Sequence, residues 1–403
     1  MLSEPPPTTS PSPSGSDKGS VAGSGKSFVT VIGGGAIGLC VAWELACRGK
    51  QVRLIERSKI GESTSRVAAG ILPPANLKTA TDAIDRLRGH SHQLFPKWAN
   101  RLLDTTGIDI GLRRCGGFYV GITAGEKAVM AGMVNYWHDL QIQCNRVSLD
   151  ELASAEPAIA SWLSECHKAS AWWVPDEYQV CTPAYLRALQ RACLQTGVEI
   201  MEQTDVTDLR FSSASAAVRT ESGWLESESV VLCGGSWTGL VSESLGLSEA
   251  LIPIRGQLLV YKTARPLLRS IVNIGNRYLL CRDDGHTLVG SCEEETGFDC
   301  RTTPSMIESL KQFAITMIPE LATAPLAEDC AGLRPLTFDG FPMIGRLPKS
   351  SNVFVAAGHY RSGIHLSTAT AVCMADIVLG KKPPIDISAF RVGKPSSGSC
   401  ERI

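Results

Sequence analysis

The chain has 403 residues, of which 44% are hydrophobic and 20% charged, with a formal net charge of -1. That length exceeds what one hydrophobic core serves, so two domains are expected, and the near-zero charge speaks against nucleic acid or anionic lipid, which call for clustered Lys and Arg. No apolar run approaches the roughly 18 residues of a membrane span, and the 14 cysteines show neither C-x-x-C nor zinc spacing, which predicts reduced thiols, a cytoplasmic location and no metal site.

Residues 1–26 (MLSEPPPTTSPSPSGSDKGSVAGSGK) are rich in Pro, Ser and Gly and lack the pattern of a secretory signal, so a disordered tail is expected. Order is expected from Ser27. Phe28 to Ile32 (FVTVI) reads as a strand, three glycines follow, a helix runs from about Ala36 to Arg48, and Gln51 to Glu56 (QVRLIE) is the next strand. Ser63 to Gly70 (STSRVAAG) predicts another turn into a helix, and a polar helix covers roughly Ala83 to Thr105. Arg113 to Ile122 is strand-like, then comes a helix, and Val147 to Glu156 (VSLDELASAE) resembles a capped helix start in a second domain.

Pro183 to Gly197 returns to helix, Val198 to Leu209 supplies a strand, and Ser229 to Gly235 (SVVLCGG) is a continuous apolar strand of the kind buried in parallel sheets. The segments Ile252 to Tyr261, Tyr278 to Arg282 and Thr287 to Ser291 are short alternating strands suited to an antiparallel sheet. Val353 to Ala357 (VFVAA) then enters Gly358, followed by a long helix from about Gly363 to Leu379.

Gly33, Gly35 and Gly38 stand in G-x-G-x-x-G spacing between the first strand and helix. In such a turn the first glycine makes the bend, the second lets backbone approach a pyrophosphate, and the third lets the helix pack. The helix start at Ala36 and Ile37 then faces phosphate. Glu56, eighteen residues after Gly38 and followed by Arg57, suits ribose hydroxyls and repels a 2′-phosphate. This turn alone leaves NAD and FAD open. Two further strands decide for FAD: VVLCGGSWTG, with Gly234, and VFVAAGHYRSG both end in glycine, where backbone passes close to a large flat ligand. A second helix start near Ser362 and Gly363 brings a positive dipole to a flavin pyrimidine ring, which is negative when reduced.

The order VIGGGAIG, IE, STSRVAAG, VVLCGGSWTG, AGLRPLTFDGFPMIG, AAGHYRSGIHLSTATA resembles the D-amino acid oxidase superfamily of FAD enzymes, and within it the glycine oxidases of thiamine biosynthesis, over about residues 27 to 391. The resemblance implies an α/β fold in which a Rossmann-type FAD-binding domain (27–84, 182–250 and 332–391) is interleaved with an α+β substrate domain on a mainly antiparallel sheet (85–181 and 251–331). Residues 392–403 would form a flexible tail.

It implies hydride removal from the α-carbon of a small amino acid to flavin, an imino acid that hydrolyses to a 2-oxo acid and ammonia, and oxygen reduced to peroxide, with no acid/base pair from the protein. Arg334 (GLRP) matches the arginine that grips the substrate carboxylate, Arg361 (GHYRSG) a second active-site arginine, and Tyr278 (RYLLCR) a tyrosine that reaches the carboxylate or closes over the substrate. Ser63, Thr64, Ser65, Arg66, Ala68, Ala69 and Gly70 match the segment around the pyrophosphate and flavin edge, with Arg66 a candidate phosphate contact. Val206 matches a backbone contact to adenine. Gly358, His359, Tyr360, Ser362, Ile364 and His365, with Arg361 and Gly363 between them, line the flavin.

Some relatives tether flavin to a cysteine near the position held by Gly332. Cys330 lies two residues earlier, so noncovalent FAD is expected. Trp172, Trp173 and Trp237 read as core, and His90, His92, His138, His167 and His286 as surface or satisfied core residues. Other readings share this fold: a dehydrogenase passing electrons to a quinone or carrier, and a catalytically silent FAD-binding protein. The sequence leaves a homo-oligomer open.

Overall fold

The structure is a computed structural model that describes residues 28–393 except 214, 243 and 244. The expected tail at 1–26, Ser27, and residues 394–403 of the expected C-terminal tail lie outside the described residues.

The β-branched run Phe28–Ile32 forms the heart of a six-stranded sheet. It pairs in parallel with Gln51–Ile55 on one side and Ser229–Leu232 on the other. Glu199–Met201 and Val353–Ala357 extend the parallel set, and Met343–Arg346 closes the edge antiparallel to Val353–Ala357. Strands buried on both faces need apolar residues at every position, and Val29, Val31, Val230, Val231 and Leu232 are fully buried. On one face the helices Ala36–Cys47, Ala83–Thr106, Thr182–Gln195 and Gly363–Val378 bury Leu39, Trp43, Phe95, Tyr185 and Leu366. On the other, a three-stranded antiparallel sheet over 208–227 packs Leu209 and Val218 against Ile32, Leu232 and Val355.

A second, nine-stranded sheet holds the expected antiparallel strands, here Leu251–Lys262, Arg277–Cys281 and His286–Gly290. Its faces separate by the two-residue period of a strand. Phe118, Val272, Leu279, Val289 and Leu259 share a core with Leu310 and Met317 of the helix Pro304–Met317. Their neighbours Tyr119, Asn273 and Tyr278 line the large cavity.

Several expectations change. Ser63 to Gly70 forms no helix, because its groups are spent on distant partners: Val180 N–H donates to Gly70 O, and Thr182 Oγ1 to Ala68 O. The expected strand at 198–209 splits. Its first part ends at Met201 and the next strand, Asp208–Phe211, belongs to the three-stranded sheet. Between them, Thr204 N–H donates to Glu56 O and bends the chain over the end of the Gln51–Ile55 strand. The strand Leu326–Thr337 runs through residue 332 and pairs with residues 251–261 of Leu251–Lys262, with one register shift between Val260 and Tyr261.

Candidate active site

One cavity of about 880 Å³ runs from the carboxyl ends of the parallel strands to the nine-stranded sheet. At its first end the Ala36–Cys47 helix starts at Gly35 with no cap from its own side chain and no acidic residue in its first turn. Ala36 N–H donates instead to Ser65 Oγ at 3.0 Å. Gly33, at φ +111°, could not carry a Cβ, which would meet Cys233 O at 2.5 Å, and a Cβ on Gly38 would stand 1.9 Å from Gly33 O. Gly38 therefore joins turn to helix and does not itself line the cavity, whereas Gly33, Gly35, Ala36 and Ile37 do.

Glu56 is buried and its carboxylate is fixed on both sides: Oε2 accepts from Gly34 N–H at 2.7 Å, and Oε1 from the Ser58 N–H and hydroxyl at 3.0 and 2.8 Å. Beside it the Arg57 guanidinium lies 4.0 Å from the Trp237 ring centre, a cation–π pair. Trp237, expected in the core, thus lines the cavity, together with Val206.

Along the middle, Ser63, Thr64, Ser65, Ala68, Ala69 and Gly70 line one side, and Gly234 and Gly358 to His365 line the strand ends. Thr64 is locked to the nine-stranded sheet, its Oγ1 donating to Leu333 O at 3.0 Å. Arg66 departs from its expected role: it is not among the lining residues, and its guanidinium is held bidentately by Glu328 at 2.5 and 3.0 Å. His359 is buried and lowered to about 3 by desolvation, so it is neutral near pH 7, with Nε2 3.1 Å from Thr370 Oγ1. His365 is buried in its helix with its ring 5.6 Å from that of His92, and burial lowers its pKa well below the usual range. The helix Gly363–Val378 starts without a side-chain cap and without an acid in its first turn. Both helix starts on this cavity, neither with an acid in its first turn, suit anionic or electron-rich groups.

The far wall belongs to the nine-stranded sheet. Arg334, opposite Ile254, leans across Gly256, where a Cβ would be 2.1 Å from its Nη2. Its guanidinium is held by Cys292 O at 2.8 Å and Ser291 Oγ at 2.5 Å. Tyr278 lies over Gly290, where a Cβ would be 2.3 Å from its hydroxyl. Burial raises its pKa to about 12 against the opposing effect of Arg334, Arg361 and Arg282. Arg361 also lines the cavity but sits half-exposed, paired with Glu293 at 2.7 Å. Cys330, which faces Leu258 across the strand pair, is not among the lining residues, while Gly332 is.

Three wall residues escape the sequence reading: Tyr119, Glu177 and Asn273. Glu177 sits in VPDEYQ, which carries no site pattern, and Tyr119 and Asn273 are polar residues in apolar strands. Their meeting depends on the parallel pairing of Gly117–Gly121 with Ile271–Ile274, which sets Tyr119 beside Asn273. A polar residue alternating with buried ones was the available signal. Among the described residues no group of side chains has the makings of a metal site, no helix is long and apolar enough to cross a membrane, and every cysteine is a free thiol.

A glycine turn into a helix start, a fixed acid at the end of the second strand and a second helix start on the same cavity suit a dinucleotide. The FAD dependent oxidoreductase family matches residues 29–377, and the chain belongs to it. It is an enzyme whose cofactor is FAD. Its relatives narrow the kinship: it is 33% identical to a glycine oxidase of Pseudomonas aeruginosa over 90% of this chain and 97% of that one. It is 29% identical to a bifunctional protein ThiO/ThiG of Trichormus variabilis, covering 91% of this chain and 55% of that one. The crystal structure of glycine oxidase from Geobacillus kaustophilus superposes with a TM-score of 0.85 at 30% identity, covering 92% of this chain and all of that one.

Proposed function

We propose that this protein oxidatively deaminates glycine or another small amino acid. The observation that carries the reading is Arg334: a guanidinium held by Ser291 and Cys292 on the cavity wall, beside Tyr278. A planar, fixed guanidinium is suited to a bidentate grip on a carboxylate. Tyr278, whose pKa burial raises to about 12, would donate from its hydroxyl to the same group.

Gly35, Ala36, Ile37 and Glu56 would hold the dinucleotide, and Gly358 to Ile364 the flavin. FAD, when bound, accepts the hydride from the substrate α-carbon. Protein groups position the substrate and exclude water while this happens. The resulting imino acid hydrolyses to a 2-oxo acid and ammonia, and oxygen, as terminal acceptor, becomes hydrogen peroxide. Cys330, two residues before the cavity-lining Gly332, stands outside the lining itself, which supports a cofactor held without a covalent link to it. The free thiols suit the cytoplasm, and kinship with glycine oxidases suggests supply to thiamine biosynthesis.

Anaerobic mixing of the yellow protein with glycine, sarcosine and small D-amino acids tests the reading. Bleaching by at least one of them, followed by peroxide once oxygen is admitted, is the expected result. Bleaching without peroxide replaces oxygen by a quinone or carrier. A bound flavin that none of these bleaches sinks the substrate assignment.

A further inference from the structure

Arg334 and Arg361 both line the cavity, and one short segment of chain holds them both. Arg334 donates to Ser291 Oγ and Cys292 O, and the next residue, Glu293, accepts from Arg361 Nη1 at 2.7 Å. Burial raises the phenol pKa values of the cavity-lining Tyr278 and Tyr360, and both guanidiniums oppose that rise at each ring. The two charges therefore face one stretch of the cavity.

They differ in what compensates them. Among the described residues no carboxylate pairs with Arg334, whose partners are a hydroxyl and a carbonyl. Neutral partners fix the fork but leave its charge free, with N–H groups to spare for a ligand. Arg361 instead faces the Glu293 carboxylate, which also borders Tyr360 and adds to the rise in that phenol. The side chains of this pair are 47% and 38% exposed, so it stands at the mouth of the cavity and not deep in its wall. An entering acid thus meets one uncompensated cation, Arg334, and one neutralised pair.

We propose that Glu293 selects for substrates with a single carboxylate, by occupying the arginine that would otherwise receive a second one. The inference rests on the amino acid oxidase reading above and narrows its substrate class to amino acids whose side chain carries no acid. A second carboxylate reaches Arg361 only by displacing Glu293, and the displaced carboxylate then stands beside it as a like charge. An uncharged side chain of the same size meets neither penalty. Glu293 is not itself among the lining residues. It is a positioning residue that acts through Arg361, and no bond is made or broken in its role.

The test uses FAD-loaded protein and ligands that differ in charge but hardly in size. Calorimetry compares succinate and glutarate with their half-amides, succinamate and glutaramate, and needs no turnover. Wild type should favour each half-amide over its diacid. Glu293→Gln removes the charge and keeps the size, and should raise the diacid to half-amide affinity ratio by about tenfold, the scale of one unit charge at a partly exposed site. Glu293→Asp, which keeps the charge, should restore the wild-type preference in part. When Glu293→Gln is combined with Arg361→Ala, most of the gain should vanish, because the freed arginine is what receives the second carboxylate. In turnover, the ratio of kcat/KM for D-aspartate to that for D-asparagine should rise in Glu293→Gln by a similar factor.

An unchanged affinity ratio in Glu293→Gln overturns the assignment. So does a wild type that prefers the diacids, or a full gain that survives the loss of Arg361. A flavin that no amino acid bleaches sinks the oxidase reading alone, since calorimetry still shows whether Glu293 discriminates between the acids. Failure of all these acids to bind either protein refutes both, because Arg334 then receives no carboxylate.

Discussion

At the glycine-turn end, the cavity is lined by main chain at the start of Ala36–Cys47, with Glu56 fixed by its neighbours. At the sheet wall the polar groups are side chains, Tyr119, Glu177, Asn273, Tyr278 and Arg334, carried on strands and a bend from distant parts of the chain. Main-chain N–H groups at a helix start recognise a phosphate whatever side chains stand beside them, provided that glycine keeps the turn open. Side chains on a sheet can be exchanged one at a time without moving the backbone. The first region should therefore respond to substitution all at once, through loss of cofactor, and the second in graded steps, through substrate handling.

The largest effect is expected at Gly38. Valine there would push a Cβ into Gly33 O, 1.9 Å away, and relieving that clash costs about 3 kcal/mol or more. Gly38→Val protein should be colourless or unfolded, as read by flavin absorbance and a thermal melt. A yellow, stable variant would break the contrast at its firmer end.

Arg334→Ala should leave FAD content unchanged while lowering kcat/KM by about 10² to 10³-fold, the scale of losing a hydrogen-bonded charge partner. Steady-state kinetics beside a flavin spectrum separates the two outcomes.

Glu177 sharpens the comparison through stability. Its carboxyl is pushed up from 4.5 to about 7, so the folded state holds the proton more tightly than the unfolded chain. That contribution is complete below pH 4.5 and disappears as pH rises through about 7. Glu177→Gln, with no charge to bury, should therefore resist urea by about 2 to 3 kcal/mol more than wild type near pH 8 and almost equally near pH 4. Equal urea resistance of the two proteins near pH 8 would contradict this.

Tyr278→Phe removes one hydroxyl and should raise KM by about fivefold, near 1 kcal/mol, with FAD unaffected. The smallest change in stability is expected at Arg361. Its pair with Glu293 is half-exposed, and such pairs contribute about 1 kcal/mol or less, so Arg361→Ala should melt close to wild type.

The same contrast explains what the sequence made legible. Gly33, Gly35, Gly38 and Glu56 lie within one β-α-β unit, so their spacing alone locates the strand–turn–helix, and the buried parallel strands show as unbroken apolar runs. Arg334 and Tyr278 are legible through resemblance rather than spacing. Glu177 and Asn273 become neighbours only when Gly117–Gly121 pairs in parallel with Ile271–Ile274, and no local pattern encodes that pairing. Arg66 shows the converse, since Glu328, its partner across the fold, is invisible from STSRVAAG. The small residues of that segment suggest a helix, but its backbone and Thr64 are bonded to Thr182, Val180 and Leu333 from distant parts of the chain.

The claim that one cavity holds its cofactor by backbone and its substrate by Arg334 is tested most directly by anaerobic flavin reduction of wild type and Arg334→Ala, followed against amino acid concentration. The account predicts equal FAD content, saturable bleaching of wild type, and half-saturation in the variant displaced upward by about 10²-fold or more. An Arg334→Ala protein with full FAD and the wild-type half-saturation would contradict it.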